Sequence, residues 1–155
     1  MQHPDFLPFV AAFEQLLEQG RALPSVASSA PRLPPVGPDA PVCLIFSPHP
    51  DDEVITGGLP WRLRRQDGWR VINVAVTLGS NRDRRAARWA ELGNCCRRLG
   101  FELLSASGEH AAGLERIAPA TAAREPAHWD HAVRQVAALL LQWRPQLVLC
   151  PHDND

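Results

Sequence analysis

The chain has 155 residues, the length of one domain with a sizeable hydrophobic core. Its 16 basic and 17 acidic residues give a net charge of −1, so the sequence offers no basic surface for nucleic acid or for an anionic membrane. Every basic residue is arginine and there is no tyrosine, which excludes mechanisms that need a lysine Schiff base, a P-loop lysine or a tyrosine nucleophile.

The chain start and the cysteines indicate the cellular compartment. The first five residues lack the basic region of a signal peptide, and no apolar run is long enough to span a membrane. The cysteines form no C-x-x-C pair and lie in or beside apolar segments, so we expect buried, reduced thiols at Cys43, Cys95, Cys96 and Cys150. These features predict a soluble, cytoplasmic protein.

The first 41 residues are predicted to be a helix and a linker. Apolar residues recur at helical spacing between Phe6 and Leu17, and Gly20 is a suitable end for that helix. Residues 23–41 are rich in Pro, Ser and Ala and cannot hold a regular helix or an inner strand. We therefore expect an N-terminal helix and Pro-rich linker at residues 1–41, followed by the main domain at residues 42–155.

From Val42 onward, short apolar runs alternate with helical patterns. Uninterrupted apolar runs are typical of strands that are buried on both faces. The alternation predicts a Rossmann-like, doubly wound α/β sheet that is mostly parallel. The predicted strands are residues 42–46, 71–77, 101–104 and 146–150, and the predicted helices are about residues 53–66, 83–99 and 131–143.

Three polar loops follow predicted strands. They comprise residues 47–53, 77–82 and 151–155, after the first, second and fourth strands. Ligands of doubly wound sheets bind outside the carboxyl ends of the strands. The three loops therefore predict an active site at that edge.

The first loop, Ser-Pro-His-Pro-Asp-Asp-Glu, carries metal-binding groups. The His49 imidazole and one of the two aspartates suit zinc, while the other aspartate can take a proton from water. Alternatively, the aspartates only cap a helix that begins near Glu53. Capping explains one aspartate but not three successive acids, which repel one another unless a cation lies among them. The residues alone do not distinguish the roles of Asp51 and Asp52.

This loop resembles the H-P-D-D-E signature of the PIG-L/LmbE-like deacetylases, zinc enzymes that remove acetyl groups from N-acetylglucosamine derivatives. The resemblance covers about residues 42–155. It extends to a T-x-G after the second strand, here Thr77-Leu78-Gly79. The R-x-x-E…L-G helix of the family is matched by Arg88, Glu91 and Leu99-Gly100, and its last strand by residues 145–152.

The resemblance implies roles for individual residues. His49 and Asp52 resemble the zinc ligands, and Asp51 resembles the general base that activates water. Glu53 is expected to orient neighbouring groups or begin the helix rather than bind metal. The following loop could contact sugar hydroxyls or a charged aglycone through Asn81 and Arg82, although a solvated loop is an equal alternative.

The family's third zinc ligand is a histidine after the fourth strand. His152 lies at that edge and could bind metal or stabilise the oxyanion, but it comes earlier than the family's ligand. We expect the third ligand beyond Asp155, so that the C-terminal part of the domain is missing and residues 1–155 alone have negligible deacetylase activity. Residues 128–131 spell H-x-D-H, but we expect them on the wrong side of the sheet, as a helix start capped by Asp130.

The sequence thus favours a Zn²⁺-dependent deacetylase of an N-acetylated amino sugar or a similar small amide. Two alternatives remain open: another metal-dependent hydrolase, such as a phosphoesterase with two bridged metals, and a remnant that folds without chemistry. A missing C-terminal part would expose apolar surface, so a homo-oligomer is also possible. We expect no nucleic-acid partner.

Overall fold

The computed structural model describes residues 6–21 and 32–151. The described residues fall into two units, of which one contains helix α1 (Leu7–Arg21) and the other begins at Arg32. Helix α1 confirms the helix expected from the apolar spacing, and it continues through Gly20 to Arg21.

The second unit is a parallel sheet with helices between its strands. Its strands have the order β3-β2-β1-β4, and each pairing is parallel. This confirms the predicted α/β fold with a Rossmann-like arrangement. In chain order the elements are β1 (Val42–Ser47), α2 (Asp52–Ile55), α3 (Gly58–Gln66), β2 (Arg70–Ala75), a 3₁₀ helix (Arg82–Arg84), α4 (Arg85–Leu99), β3 (Glu102–Ser105), α5 (Pro119–Arg124), α6 (Pro126–Trp143) and β4 (Leu147–Leu149).

The strand order places the candidate site. The chain adds β2 and β3 on one side of β1, then returns to add β4 on the other side. The order therefore reverses between β1 and β4, and ligands of doubly wound sheets bind outside the carboxyl ends of the strands at such a reversal. The loop after β1 lies at this point.

Both faces of the central strands are buried. Successive residues of a strand point to opposite faces, so β1 contributes to two separate apolar clusters. One cluster includes Leu44 and is packed against α6, whereas the other includes Ile45 and is packed against α4. This two-sided burial explains why β1 appears as an uninterrupted apolar run and why Asn73 is the only polar residue between Val71 and Ala75 in β2.

Two predicted helices differ from the observed ones. The helix expected at residues 53–66 is divided into α2 and α3 at residues 56–57. A Cβ at Gly57 would lie 2.5 Å from the Glu53 carbonyl oxygen, so the break needs glycine.

The last helix begins at Pro126 rather than near His131, because Pro126 occupies the first helical position and Asp130 is inside the helix. The expectation that Asp130 caps this helix is wrong.

The cysteines are free, as expected, but they are not all buried. Cys43 and Cys96 are buried in the core, Cys95 is half-buried and Cys150 is exposed after β4. Among the described residues β4 pairs only with β1, which explains the exposure of this end of the sheet. Burial raises the pKa of the Cys43 thiol to about 11 and is the main reason that the pKa of Cys96 rises to about 12.

Candidate active site

The loop between β1 and α2 brings His49 and Asp52 together. Asp52 Oδ2 accepts a hydrogen bond from the His49 backbone N–H at 2.8 Å, and it lies 3.9 Å from His49 Nδ1. The same two residues line one cavity. One imidazole nitrogen and one carboxylate oxygen are therefore close together at the strand-order reversal.

This cavity has a volume of about 620 Å³, which is within the range of small-molecule sites. Apolar side chains form much of its wall, and the polar groups lie on the side of the β1–α2 loop and at the end of β2. Its lining residues are Phe46, Pro48, His49, Asp52, Ile55, Thr56, Val76, Thr77, Ile117 and Pro151.

Asp51 precedes α2 at the position of a capping residue, yet its side chain makes no capping hydrogen bond to the described helix. Its backbone has φ 131° and ψ −22°, a conformation that residues other than glycine rarely adopt. The residue is exposed. Helix capping therefore does not account for Asp51.

Glu53 lies beneath this loop and does not line the cavity. Its side chain is buried, and its Oε2 accepts the Asp51 backbone N–H at 2.9 Å. On its other side it faces Cys95 of α4. Burial first, and then the neighbouring Glu53 carboxylate, raises the pKa of the Cys95 thiol to about 11.

The loop after β2 is tied to the loop after β1 through Thr77. Thr77 Oγ1 donates to the Pro48 carbonyl at 2.7 Å and accepts the Gly79 N–H at 3.2 Å. Gly79 has φ 80°, and the Arg88 guanidinium occupies the space that a Cβ would need there. Arg88 Nη1 also donates to the Leu78 carbonyl at 3.3 Å. The T-x-G sequence and the arginine of α4 therefore act as one structural unit.

The structure shows a local capping role for Asn81, which is followed by Arg82 at the start of the 3₁₀ helix. Asn81 Oδ1 accepts the Asp83 N–H at 3.0 Å and so caps the 3₁₀ helix. Both residues are exposed, and neither is among the described residues that line the cavity. Their contact with a substrate stays a prediction.

The loop after β3, residues 106–118, forms a wall that the sequence did not indicate. Leu114 N–H donates to the Val76 carbonyl at 2.7 Å, and Ile117 lines the cavity. An ion pair of 2.8 Å between Arg85 and Glu115 ties this loop to the start of α4. The loop is rich in Ala, Gly and Ser without periodicity, so no sequence signal showed its position.

The start of α6 also lies at this edge. His128 Nε2 is 2.7 Å from the Glu115 carbonyl oxygen. The expectation that residues 128–131 lie on the wrong side is incorrect, because a crossover helix runs opposite to the parallel strands and begins at their carboxyl ends. Residues 6–21 and 32–151 nevertheless contain no group of three or more His, Cys, Asp or Glu that could hold a metal ion. His152 lies outside the described residues.

A parallel sheet with helices on both faces defines a Rossmann-like α/β protein, and the cavity lies at the strand-order reversal, where ligands of such sheets bind. The family model described as PIG-L, GlcNAc-PI de-N-acetylase, matches residues 44–155. The chain belongs to the PIG-L family. This family is generally metal-dependent and suggests deacetylase-type hydrolase activity.

No curated protein and no solved structure matches the chain. Among the described residues, no helix is long and apolar enough to cross a membrane.

Proposed function

We propose that this protein hydrolyses the acetyl amide of an N-acetylated amino sugar, or of a similar small molecule, with Zn²⁺ as its metal. The proposal depends chiefly on one observation, the pairing of His49 and Asp52 beside Asp51 at the rim of the cavity. The family match supports the same reaction class. The products are acetate and a free amine.

The donor atoms fit a borderline metal such as zinc. His49 would supply an imidazole nitrogen and Asp52 a carboxylate oxygen, and the His49 N–H keeps that carboxylate oriented. Catalytic zinc sites usually have three protein ligands, so we propose one more ligand from the chain that follows β4. His152 is the candidate for this ligand. When bound, the metal supplies Lewis-acid polarisation of the amide carbonyl.

In this proposal Asp51 is the general base. Asp51 is exposed, directly precedes Asp52 in the chain, and its side chain is not used for capping, although it is not among the residues that line the cavity. It accepts a proton from the attacking water and delivers a proton to the amine nitrogen as the C–N bond breaks. Asn81 and Arg82 would contact the far end of a sugar substrate, if that substrate extends beyond the cavity.

Acetate release from a panel of N-acetylglucosamine derivatives, in the presence of Zn²⁺, tests the proposal. Asp51→Asn should lower kcat by about 10²–10⁴-fold, the usual contribution of a general base. Asp67→Asn is the matched control, since Asp67 ends α3 just before β2, at the opposite edge of the sheet. Release of phosphate from aryl phosphates, without acetate release from any amide, would instead identify a phosphoesterase.

A further inference from the structure

We propose that Glu53 is a positioning residue, whose buried carboxylate holds the Asp51 backbone in the conformation that the reaction needs. The proposal rests on the proposed function, because the role of Asp51 as general base comes from there. Glu53 would act through Asp51 without touching the substrate.

In helix α2 the charged residue Glu53 is buried and its apolar neighbours are exposed, which is the reverse of the usual pattern. In the four-residue helix α2, Glu53 is 2 % exposed, whereas Val54 and Ile55 are 57 % and 77 % exposed. Glutamate is rarely buried unless it is paired, because its charge loses hydration. A carboxylate that only favoured the start of a helix would do so from the surface. The position therefore indicates a specific hydrogen-bonding role.

Glu53 accepts a hydrogen bond from the backbone of Asp51, the residue with the strained conformation. Glu53 Oε2 accepts the Asp51 N–H at 2.9 Å, and Asp51 has φ 131°. Such a conformation persists only when its surroundings impose it, and a hydrogen bond to an ionised carboxylate is stronger than one between neutral groups. We infer that this bond keeps Asp51 in its strained conformation.

The conformation of Asp51 also determines the spacing of its neighbours. The hydrogen bond from His49 N–H to Asp52 Oδ2 spans Asp51, so it needs the sharp turn that the positive φ produces. If Asp51 relaxed to a negative φ, its carboxylate would move and this bond would break. Glu53 thus fixes both the general base and the distance between the two ligand residues.

Helix α4 holds Glu53 from the opposite side. Glu53 lies close enough to Cys95 of α4 to help raise the pKa of its thiol, after burial, and α4 packs on the sheet through Leu92 and Cys96. The loop after β1 is therefore connected to the core by a buried carboxylate rather than by apolar contacts alone.

The first test measures the Asp51 amide directly in ¹⁵N-labelled full-length chain. Glu53→Ala should lower the hydrogen-exchange protection of the Asp51 amide at least about tenfold and shift its resonance, relative to the amides of β1 and β2. Glu53→Gln keeps an acceptor oxygen and should retain most of the protection. Val54→Ala, in the same helix, is the control and should leave the Asp51 amide unchanged. If Glu53→Ala does not fold, Glu53→Asp decides, because its carboxylate is one methylene too short.

The second test measures kinetics on the amide substrate. Glu53→Ala or Glu53→Asp should lower kcat by about 10–100-fold with little change in KM, and Glu53→Gln should restore much of it, since small misplacements of a catalytic group cost this much. Unchanged hydrogen-exchange protection of the Asp51 N–H in both variants would overturn the proposal. Loss of the hydrogen bond between the Asp51 N–H and Glu53 without any change in kcat would overturn it as well. If the wild-type protein hydrolyses no amide, the proposed function fails, and the amide measurement alone decides whether Glu53 holds Asp51.

Discussion

Two adjacent aspartates of the loop after β1 have different environments. Asp52 accepts the His49 N–H and lines the cavity, whereas Asp51 is exposed at positive φ. The sequence alone could not distinguish them, because both are acids at the start of a helix. Their backbone conformations supply the difference and support the roles proposed above.

These environments predict that substitution of Asp52 weakens zinc binding and that substitution of Asp51 does not. Asp52→Ala and His49→Ala should each weaken Zn²⁺ binding by at least about 100-fold, because each removes one of few ligands. Asp51→Asn should change the Kd little, since it keeps the backbone N–H that Glu53 accepts. Isothermal titration of the metal-free protein measures these constants, with Asp83→Ala as a surface control. The proposed roles are reversed if Asp51→Asn loses zinc while Asp52→Ala retains it.

At the scale of elements, the β1–α2 loop is held by the loop after β2. Thr77 connects to Pro48, and Arg88 of α4 supports the backbone at Leu78 and Gly79. Gly79 is required for two reasons, its positive φ and the guanidinium next to it. Gly108 also has positive φ, 77°, but a Cβ there would contact nothing within 4 Å.

Alanine substitutions of Gly79 and Gly108 separate the cost of the positive φ from the cost of displacing Arg88. Gly108→Ala should cost about 1–2 kcal/mol of unfolding free energy, which is the strain of a left-handed alanine. Gly79→Ala should cost about 2–4 kcal/mol, because the methyl group also displaces Arg88. Urea denaturation of both variants measures the difference. Equal losses would mean that Arg88 moves aside without cost.

The elements that the sequence predicted well are those with strong apolar runs. Strands β1 and β2 are buried on both faces, so nearly every side chain shows their position. Helix α5 and the early start of α6 were missed, because a proline begins each of them and proline usually marks a loop. The cavity wall at residues 106–118 was missed because hydrogen bonds to backbone carbonyls, rather than an apolar pattern, place it.

At the scale of the whole molecule, the cavity is lined by loops that are far apart in the sequence. The sequence predicted that loops after β1, β2 and β4 would meet at the carboxyl edge, since parallel strands bring their ends together. The described cavity uses the loops after β1, β2 and β3, together with Pro151 after β4. Residues 6–21 and 32–151 contain no group of three or more His, Cys, Asp or Glu that could hold a metal ion, so a third metal ligand stays a prediction.

The buried thiols also determine how the protein responds to alkali. Because the chain has neither lysine nor tyrosine, cysteines are the only side chains that titrate between about pH 9 and pH 11. Cys43 and Cys96 have pKa values raised from 9.0 to about 11 and about 12, so in this range the unfolded chain loses protons that the folded chain keeps. The stabilisation is complete below pH 9 and is lost as the pH rises through these values.

The free energy of unfolding should therefore fall above pH 9 by up to about 1.4 kcal/mol per pH unit for each of these thiols. Denaturation curves at pH 8, 9, 10 and 11 measure this decline, and Cys96→Ala should make it shallower even though the variant is less stable at every pH. A profile that Cys96→Ala and Cys43→Ala leave equally steep would contradict this account. Otherwise, alkaline unfolding of this protein reports the ionisation of Cys43, Cys96 and the half-buried Cys95, whose pKa values are all raised, without the lysine and tyrosine titrations that obscure it in most proteins.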